Sequence, residues 1–361
     1  AESPTAFGVR ARCGVPSRGN ELLSIVKGPY LQWPTLDSMT VMWETSVPAA
    51  GAVDVWDTEP VHAGLDGGCR AVAASQRRVA DASAATVHAV RLTGLEPATV
   101  YHYRVQSAAD GETVAADPLP LRTAPPASQP FCFAVTSETG GYGDDEMNRR
   151  LFAQLARHRP DLLLVVGDAV ARGQRYEDWE RWFFGPGQGL FATTPFFLVP
   201  GNHEENSPWF YRLVAYPEPR NYYAFDYGNA RFVGLDSTRG VAYDGSGPVS
   251  VPDAAGFAPG GAQHQFLVSR LAESRAEWKF VFFHYPPYVS ADYQVEQTRV
   301  LCPVFEEHGV DVVFAGHEHF YERLKPQKGV HYFTSGSAGK LRAGNIRPGP
   351  LTAKGFDADY S

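Results

Sequence analysis

Three stretches of this chain place metal-ligand side chains directly after a short apolar run. Pro195-Phe196-Phe197-Leu198-Val199 is broken by Pro200 and followed by Gly201-Asn202-His203-Glu204. Leu162 to Val166 stops at Gly167-Asp168, and Val310 to Ala315 stops at Gly316-His317-Glu318-His319. A fourth run, Phe282-Phe283, ends in His284. An apolar run closed by glycine or proline reads as a buried strand entering a loop. In open α/β sheets, sites form beyond the carboxyl ends of strands. Asp168 and Glu138 offer carboxylate oxygens, Asn202 an amide oxygen, and His284, His317 and His319 imidazole nitrogens. His317 and His319, one residue apart, face one cavity if their loop is not helical. This mixed donor set suits Zn, Mn or Fe. A bridging Asp168 would hold two ions, and two ions about 3.5–4 Å apart clamp the attacking and leaving oxygens of a phosphoryl transfer. Singly, each residue has a plainer explanation: a strand-end His is often structural, Gly-Asp is a common turn, and Gly-Asn-His-Glu is ordinary turn chemistry. The ordered combination carries the inference.

The elements that must position these residues divide into two patterns. Residues 1–25 read as an extended arm. Residues 26–124 read as an all-β sandwich. Met39 to Glu44 and Ala52 to Trp56 alternate as strands, with Trp43 as a core aromatic. Leu95 to Val105 enters a strand with a tyrosine near its start, the position of a tyrosine corner. Ala124 to Pro130 is a proline-stiffened linker. From 131 to 361, strands alternate with helices, which predicts a layered α/β domain. The strands are expected at 131–136, 162–166, 196–199, 222–225, 231–235, 280–283, 310–315 and 331–334, the last of these closing the set. The helices are expected after a cap at Asp144 or Asp145, at 176–184, at 263–273 and at 300–308. The Gly- and Pro-rich loop 238–261 is expected to cover the site or decorate its rim.

The totals exclude several function classes. The chain has 361 residues, 44% hydrophobic and 20% charged, which is an ordinary globular composition. Its net charge of −8, without a long basic run, argues against nucleic acid as the main partner. No stretch approaches the roughly 18 apolar residues of a membrane span. The chain starts at Ala1, and a secreted or periplasmic protein with its signal removed is the expectation. Cys13, Cys69, Cys132 and Cys302 show no C-x-x-C spacing, so a thiolate zinc site is not expected. A Cys13–Cys69 disulfide would suit an exported chain. Cys132 and Cys302 are expected as buried free thiols.

Taken together, the motifs resemble a calcineurin-like metallophosphoesterase of the purple acid phosphatase branch, with a fibronectin III-like N-terminal domain. Lys27-Gly28-Pro29-Tyr30-Leu31-Gln32 and Met42-Trp43-Glu44-Thr45 resemble that branch's N-terminal domain. Gly316-His317-Glu318-His319-Phe320-Tyr321-Glu322-Arg323 resembles its last motif. The resemblance implies an α/β catalytic domain of two mixed sheets flanked by helices, two metal ions (Zn, Fe or Mn), and hydrolysis of a small-molecule phosphate ester, monoesters first. By motif, Asp168 would bridge the ions. Asn202, His284 and His317 would complete one position, and His319 and Glu138 the other. His203 would act as proton donor or charge stabiliser. Arg172, just past Asp168, would meet the substrate phosphate.

Two departures from the pattern stand out. Ser137-Glu138-Thr139-Gly140 puts Glu where the family has Asp, and no His follows two residues on. Ala171 stands where purple members carry the tyrosine whose charge transfer to iron gives the colour. Colour is therefore not expected. A phosphodiesterase of the same fold is one alternative. A non-catalytic surface binding protein with a degenerate first metal site is another.

Overall fold

The computed structural model describes residues 22–57, 76–141, 145–239, 256–291 and 296–358, with two short strands between 240 and 255. The first half is β-structure: β1 (Ile25–Gln32), β2 (Ser38–Asp57), β3 (Arg77–Thr93), β4 (Val100–Ala109), β5 (Glu112–Ala115) and β6 (Leu119–Arg122). Strand β2 spans 20 residues. Its first half pairs with β1, its second half with β4, and β3 follows it along both, with register shifts between Glu44 and Gly51. Leu31, Met39, Val41 and Trp43 from one end pack with Val53, Val55, Tyr103 and Val105 from the other. One continuous strand thus serves both layers of a sandwich. Trp43 is fully buried and donates its indole N–H to Ser107 Oγ at 2.8 Å. Tyr101 Oη accepts from Glu96 N at 2.9 Å, which is the corner hydrogen bond expected from sequence.

The second half runs β7 (Phe133–Thr136), α1 (Glu146–Arg157), β8 (Leu162–Val165), α2 (Tyr176–Asp178), a π-helical turn (Trp179–Phe184), α3 (Gly185–Phe191), β9 (Phe196–Leu198) and α4 (Pro208–Arg212). It continues with β10 (Tyr223–Tyr227), β11 (Ala230–Gly234), β12 (Ala242–Tyr243), β13 (Pro248–Val249), α5 (Ala262–Ala272) and β14 (Trp278–Phe282). It closes with α6 (Cys302–Glu307), β15 (Val312–Ala315), β16 (Tyr321–Leu324), β17 (His331–Ser335) and β18 (Thr352–Phe356). Strands β7, β8 and β9 form a parallel sheet. The other sheet has seven strands in the order β10-β11-β14-β15-β17-β16-β18, parallel at its centre and antiparallel at its edges. Its edge strand β18 and the late strand β16 lie beyond the sequence expectation, which ends at 331–334.

The two sheets meet through aromatic side chains. Phe197 stacks on Phe225 at 3.7 Å, and Phe133 packs edge-on against Phe232 and Phe280. Helix α1 and the 176–191 helical segment cover the outer face of the parallel sheet with Phe152, Phe183 and Phe191. Helices α5 and α6 cover the far face of the larger sheet with Leu267, Leu271, Val304 and Phe305. The result is helix, sheet, sheet, helix. No helix among the described residues is long and apolar enough to cross a membrane.

The sandwich is bonded to the strand that delivers Asn202. Gln32 donates from Nε2 to Phe196 O (3.1 Å), Tyr30 from its hydroxyl to Leu213 O (3.0 Å), and Tyr103 from its hydroxyl to Ala192 O (2.7 Å).

Three sequence expectations need correction. Cys132 is exposed and lies one residue before β7, whereas Cys302 is buried as expected, and both thiols are free. Asp145 occupies the N-cap position of α1 without capping it, since its own backbone is already helical. Its carboxylate instead accepts from Arg149 at 2.9 Å. Arg323, expected to brace the His317 loop, is exposed, while its neighbour Glu322 accepts from Ser290 N and Thr352 Oγ1. The Cys13–Cys69 pair, Asp144 and most of the 238–261 loop lie outside the described residues.

Candidate metal centre

Every candidate ligand follows the carboxyl end of a parallel strand. Glu138 follows β7, Asp168 follows β8, Asn202 and His203 follow β9, His284 follows β14, and His317 and His319 follow β15. Strands from both sheets therefore aim at one point, as their parallel packing requires. The loops turn sharply to get there. Glu138, Asp168 and His317 have φ of 57°, 52° and 69°, left-handed values that side chains other than Gly seldom take. Each such residue costs on the order of 1–3 kcal/mol. Glycine makes room beside them. A Cβ on Gly167, itself at φ 91°, would stand 2.5 Å from His284 Nδ1.

The loops are tied by one buried carboxylate. Glu204 accepts from Asp168 N (2.8 Å), Ala169 N (2.8 Å) and Gly201 N (2.5 Å). It fastens the Asp168 loop to the Asn202 loop. Asp168 Oδ1 returns the tie by accepting from His203 N at 2.9 Å.

Four donors converge between these loops. His284 Nε2 lies 3.1 Å from Asn202 Oδ1 and 3.4 Å from Asp168 Oδ1. His317 Nδ1 lies 3.2 Å from Asn202 Oδ1 and 3.3 Å from His284 Nε2. Bonds of about 2.0–2.1 Å to a tetrahedral ion put neighbouring donors about 3.3–3.4 Å apart. The observed edges match that spacing. The tautomer matches as well. His284 Nδ1 is 2.9 Å from Val166 O, so it carries the proton and leaves the Nε2 lone pair facing the cluster. Burial first, then the neighbouring His284, pushes the His317 pKa well below the ordinary imidazole value. Metal ligation needs the neutral ring. These residues fit a divalent ion.

The second set behaves differently. Glu138, Asp168 and His284 bring donor atoms within 4.8 Å of one another, and all three are buried. His319 Nε2 lies 3.2 Å from Glu138 Oε2. Burial, then Arg342 and Lys340, brings the His319 pKa down to about 3. Burial, then the charge of Asp168, pushes the Glu138 carboxyl up to about 7. Burial also opposes charge on Asp168, but His284, Lys340 and His203 outweigh it and hold this carboxyl well below the usual range. A residue absent from the sequence candidates completes the picture. Lys340 Nζ stands 3.8 Å from Glu138 Oε2 and 3.8 Å from Asp168 Oδ2. The signal for it is the same as for the others. Strand β17 runs into Gly336-Ser337-Ala338-Gly339, and Lys340 follows.

His203 marks the open side. Its Nδ1 is 2.7 Å from Ala171 O, its Nε2 is 3.8 Å from Asp168 Oδ2, and its side chain is 29% exposed. Asn202 and His317 are half-buried beside it. Arg172 is exposed on the same loop, and among the described contacts its side chain makes none with the cluster.

Comparison with known proteins agrees with the geometry. Residues 132–321 match the family profile of calcineurin-like phosphoesterases, and residues 26–123 match the purple acid phosphatase N-terminal domain. Purple acid phosphatase 15 of Arabidopsis thaliana is 27% identical over 288 residues, covering 66% of this chain and 49% of its own. An uncharacterized protein of Mycobacterium tuberculosis is 27% identical over 373 aligned residues, covering 91% of this chain and 66% of its own. The chain therefore spans between 49% and 66% of the length of these curated relatives. Among solved structures, a purple acid phosphatase from yellow lupin seeds superposes with a TM-score of 0.72 at 16% identity, covering 92% of this chain and 68% of that one. A PhoD structure gives 0.65 at 15% identity, covering 92% and 82%. These two show a shared fold. With the family profile covering more than half of its length, the chain belongs to the calcineurin-like phosphoesterase family and carries a purple acid phosphatase N-terminal domain.

Proposed function

We propose that this protein hydrolyses phosphoric esters, monoesters first, with a divalent ion held by Asp168, Asn202, His284 and His317. The carrying observation is the convergence of four donors at 3.1–3.4 Å, with the His284 tautomer fixed by Val166. A Zn, Mn or Fe ion there supplies Lewis acidity to a phosphoryl oxygen and acidifies water towards a pKa of about 7. The chain's own residues do the rest. Glu204 and Asp168 hold the two loops in register, so the donors are arranged before any ligand arrives. The His203 ring is oriented by Ala171 O and presents Nε2 at the mouth. There it holds a proton for the departing alkoxide oxygen, with Asp168 Oδ2 favouring the protonated ring. Arg172, on the same exposed loop, contacts the substrate phosphate through its guanidinium.

His203→Ala is expected to lower kcat on p-nitrophenyl phosphate by about 10²–10³-fold, within the range for a general acid. KM should change little. The alkaline limb of the kcat profile, set by loss of the His203 proton, should disappear. The measurement is steady-state kinetics across pH on p-nitrophenyl phosphate and its bis-ester, after loading with Zn, Mn or Fe. Turnover of neither ester by the wild type under any of these ions would overturn the reading. Faster turnover of the bis-ester would make the protein a diesterase with the same residues in place.

A further inference from the structure

We propose that the Lys340 ammonium takes the place of a second metal ion, so that the protein binds one divalent ion per chain. The inference rests on the reading of the Asp168–Asn202–His284–His317 position given above.

Lys340 is buried, with 3% of its surface exposed. Lysine is almost never buried unless it is paired. Here its Nζ stands at equal distance, 3.8 Å, from one oxygen of each buried carboxylate, Glu138 Oε2 and Asp168 Oδ2. Those two carboxylates are the pair a second ion would bridge.

The segment that carries Lys340 is held in place. A Cβ on Gly339 would come within 2.4 Å of Asn148 Oδ1, and one on Gly336 would fall 1.8 Å from Glu318 O. Asn148 is buried in turn and donates to Thr139 O (2.5 Å) and Trp182 O (3.0 Å). The lysine enters from a backbone packed as tightly as glycine allows, so an arriving ion cannot displace it by moving the loop.

The other members of the second position are also engaged. Glu138 Oε1 accepts from His317 N at 2.7 Å. That oxygen braces a residue in a left-handed conformation. The extra methylene of Glu, compared with Asp, gives the carboxylate this reach while its Oε2 faces Lys340. The 3.2 Å contact from His319 Nε2 to Glu138 Oε2 asks for the proton on Nε2, which removes that lone pair from ligation. Glutamate at 138 and lysine at 340 thus form one arrangement: a brace for the His317 loop, neutralised by a fixed ammonium. With one divalent ion beside it, the centre remains net positive and still attracts a phosphoryl dianion. Lys340 is a positioning residue, since it acts through the two carboxylates.

The test is metal stoichiometry. The full chain is stripped with chelator, saturated with Zn²⁺ or Mn²⁺, freed of excess and analysed for metal per chain, with circular dichroism as the check on folding. The wild type is expected to hold one ion and Lys340→Met two, because the carboxylate pair is then left without its cation. Lys340→Arg, which keeps the charge, should hold one. A merely structural lysine would not separate Met from Arg in this way. Should Lys340→Met not fold, the Mn²⁺ spectrum of the wild type decides by electron paramagnetic resonance. An isolated-ion signal supports the proposal, and a spin-coupled pair overturns it. Two ions in the wild type, or one in folded Lys340→Met, would also overturn it while leaving the phosphatase reading intact. No ion in the wild type would instead remove the Asp168 position, and the proposed function with it.

Discussion

Asp168→Ala is expected to reduce hydrolysis of p-nitrophenyl phosphate by about 10³-fold, the upper range for removing a pre-organised electrostatic group. It should also release the bound ion. Asp168 does three things at once. Its Oδ1 faces His284 Nε2 at 3.4 Å, as a ligand of the same ion would. The same oxygen accepts from His203 N at 2.9 Å and so holds the loop that carries Asn202 and His203. Its Oδ2 faces His203 Nε2 and Lys340 Nζ, each at 3.8 Å. Alanine removes all three. Asparagine keeps an oxygen for His203 N and loses the charge, so Asp168→Asn should keep the loop in place and still lose most activity. Kinetics and metal content on both variants separate loop support from charge. Full activity in Asp168→Asn would show that charge at this position does not matter.

The largest expected effect on stability is at Tyr30, far from the chemistry. Tyr30→Ala should cost about 3–5 kcal/mol, the range for removing a large buried aromatic. The side chain is 1% exposed. It packs on Phe184 at 4.9 Å and Phe196 at 5.9 Å between ring centroids, and its hydroxyl reaches Leu213 O at 3.0 Å. It is thus a sandwich residue, on β1, buried in the core of the α/β half. Tyr30→Phe should cost about 1 kcal/mol, because only the hydrogen bond is lost. Val100→Ala, at a position 47% exposed, should stay within about 0.5 kcal/mol of the wild type. Urea unfolding followed by tryptophan fluorescence measures all three. If Tyr30→Ala and Val100→Ala cost the same, the sandwich does not stabilise the catalytic half.

The parts of this protein that were legible in sequence share one physical cause. Buried parallel strands must be apolar throughout, and the chain must turn where they end. That made Leu162 to Val166 and Phe196 to Val199 readable, and with them Asp168 and Asn202. The same rule reached His284 and His317, which the structure brings to within 3.3 Å of each other. It did not reach Lys340, although strand β17 ends in the same way. A lysine after Gly339 looks like an ordinary solvated charge until the fold shows the two carboxylates beside it. Strand β18 was illegible for a different reason. It is an edge strand that pairs only with β16, and its side chains are half-buried or exposed, so no apolar run marks it. The segment Gly185–Phe191 holds three glycines and a proline, and intrinsic propensity argues against a helix there. Packing of Leu190 and Phe191 into the core overrides that preference. The Glu204 tie was visible only as a polar residue in a turn, because its three partners come from backbone N–H groups that sequence does not display.

The most direct test of the central claim is to locate the ion. Crystals of the full chain grown with Zn²⁺ and measured at the zinc absorption edge give an anomalous difference map that needs no assumption about ligands. The account predicts a peak about 2.0–2.1 Å from His284 Nε2 and His317 Nδ1, with Asn202 Oδ1 and Asp168 Oδ1 completing the shell. A strong peak elsewhere, or none between these four residues at saturating zinc, would contradict it.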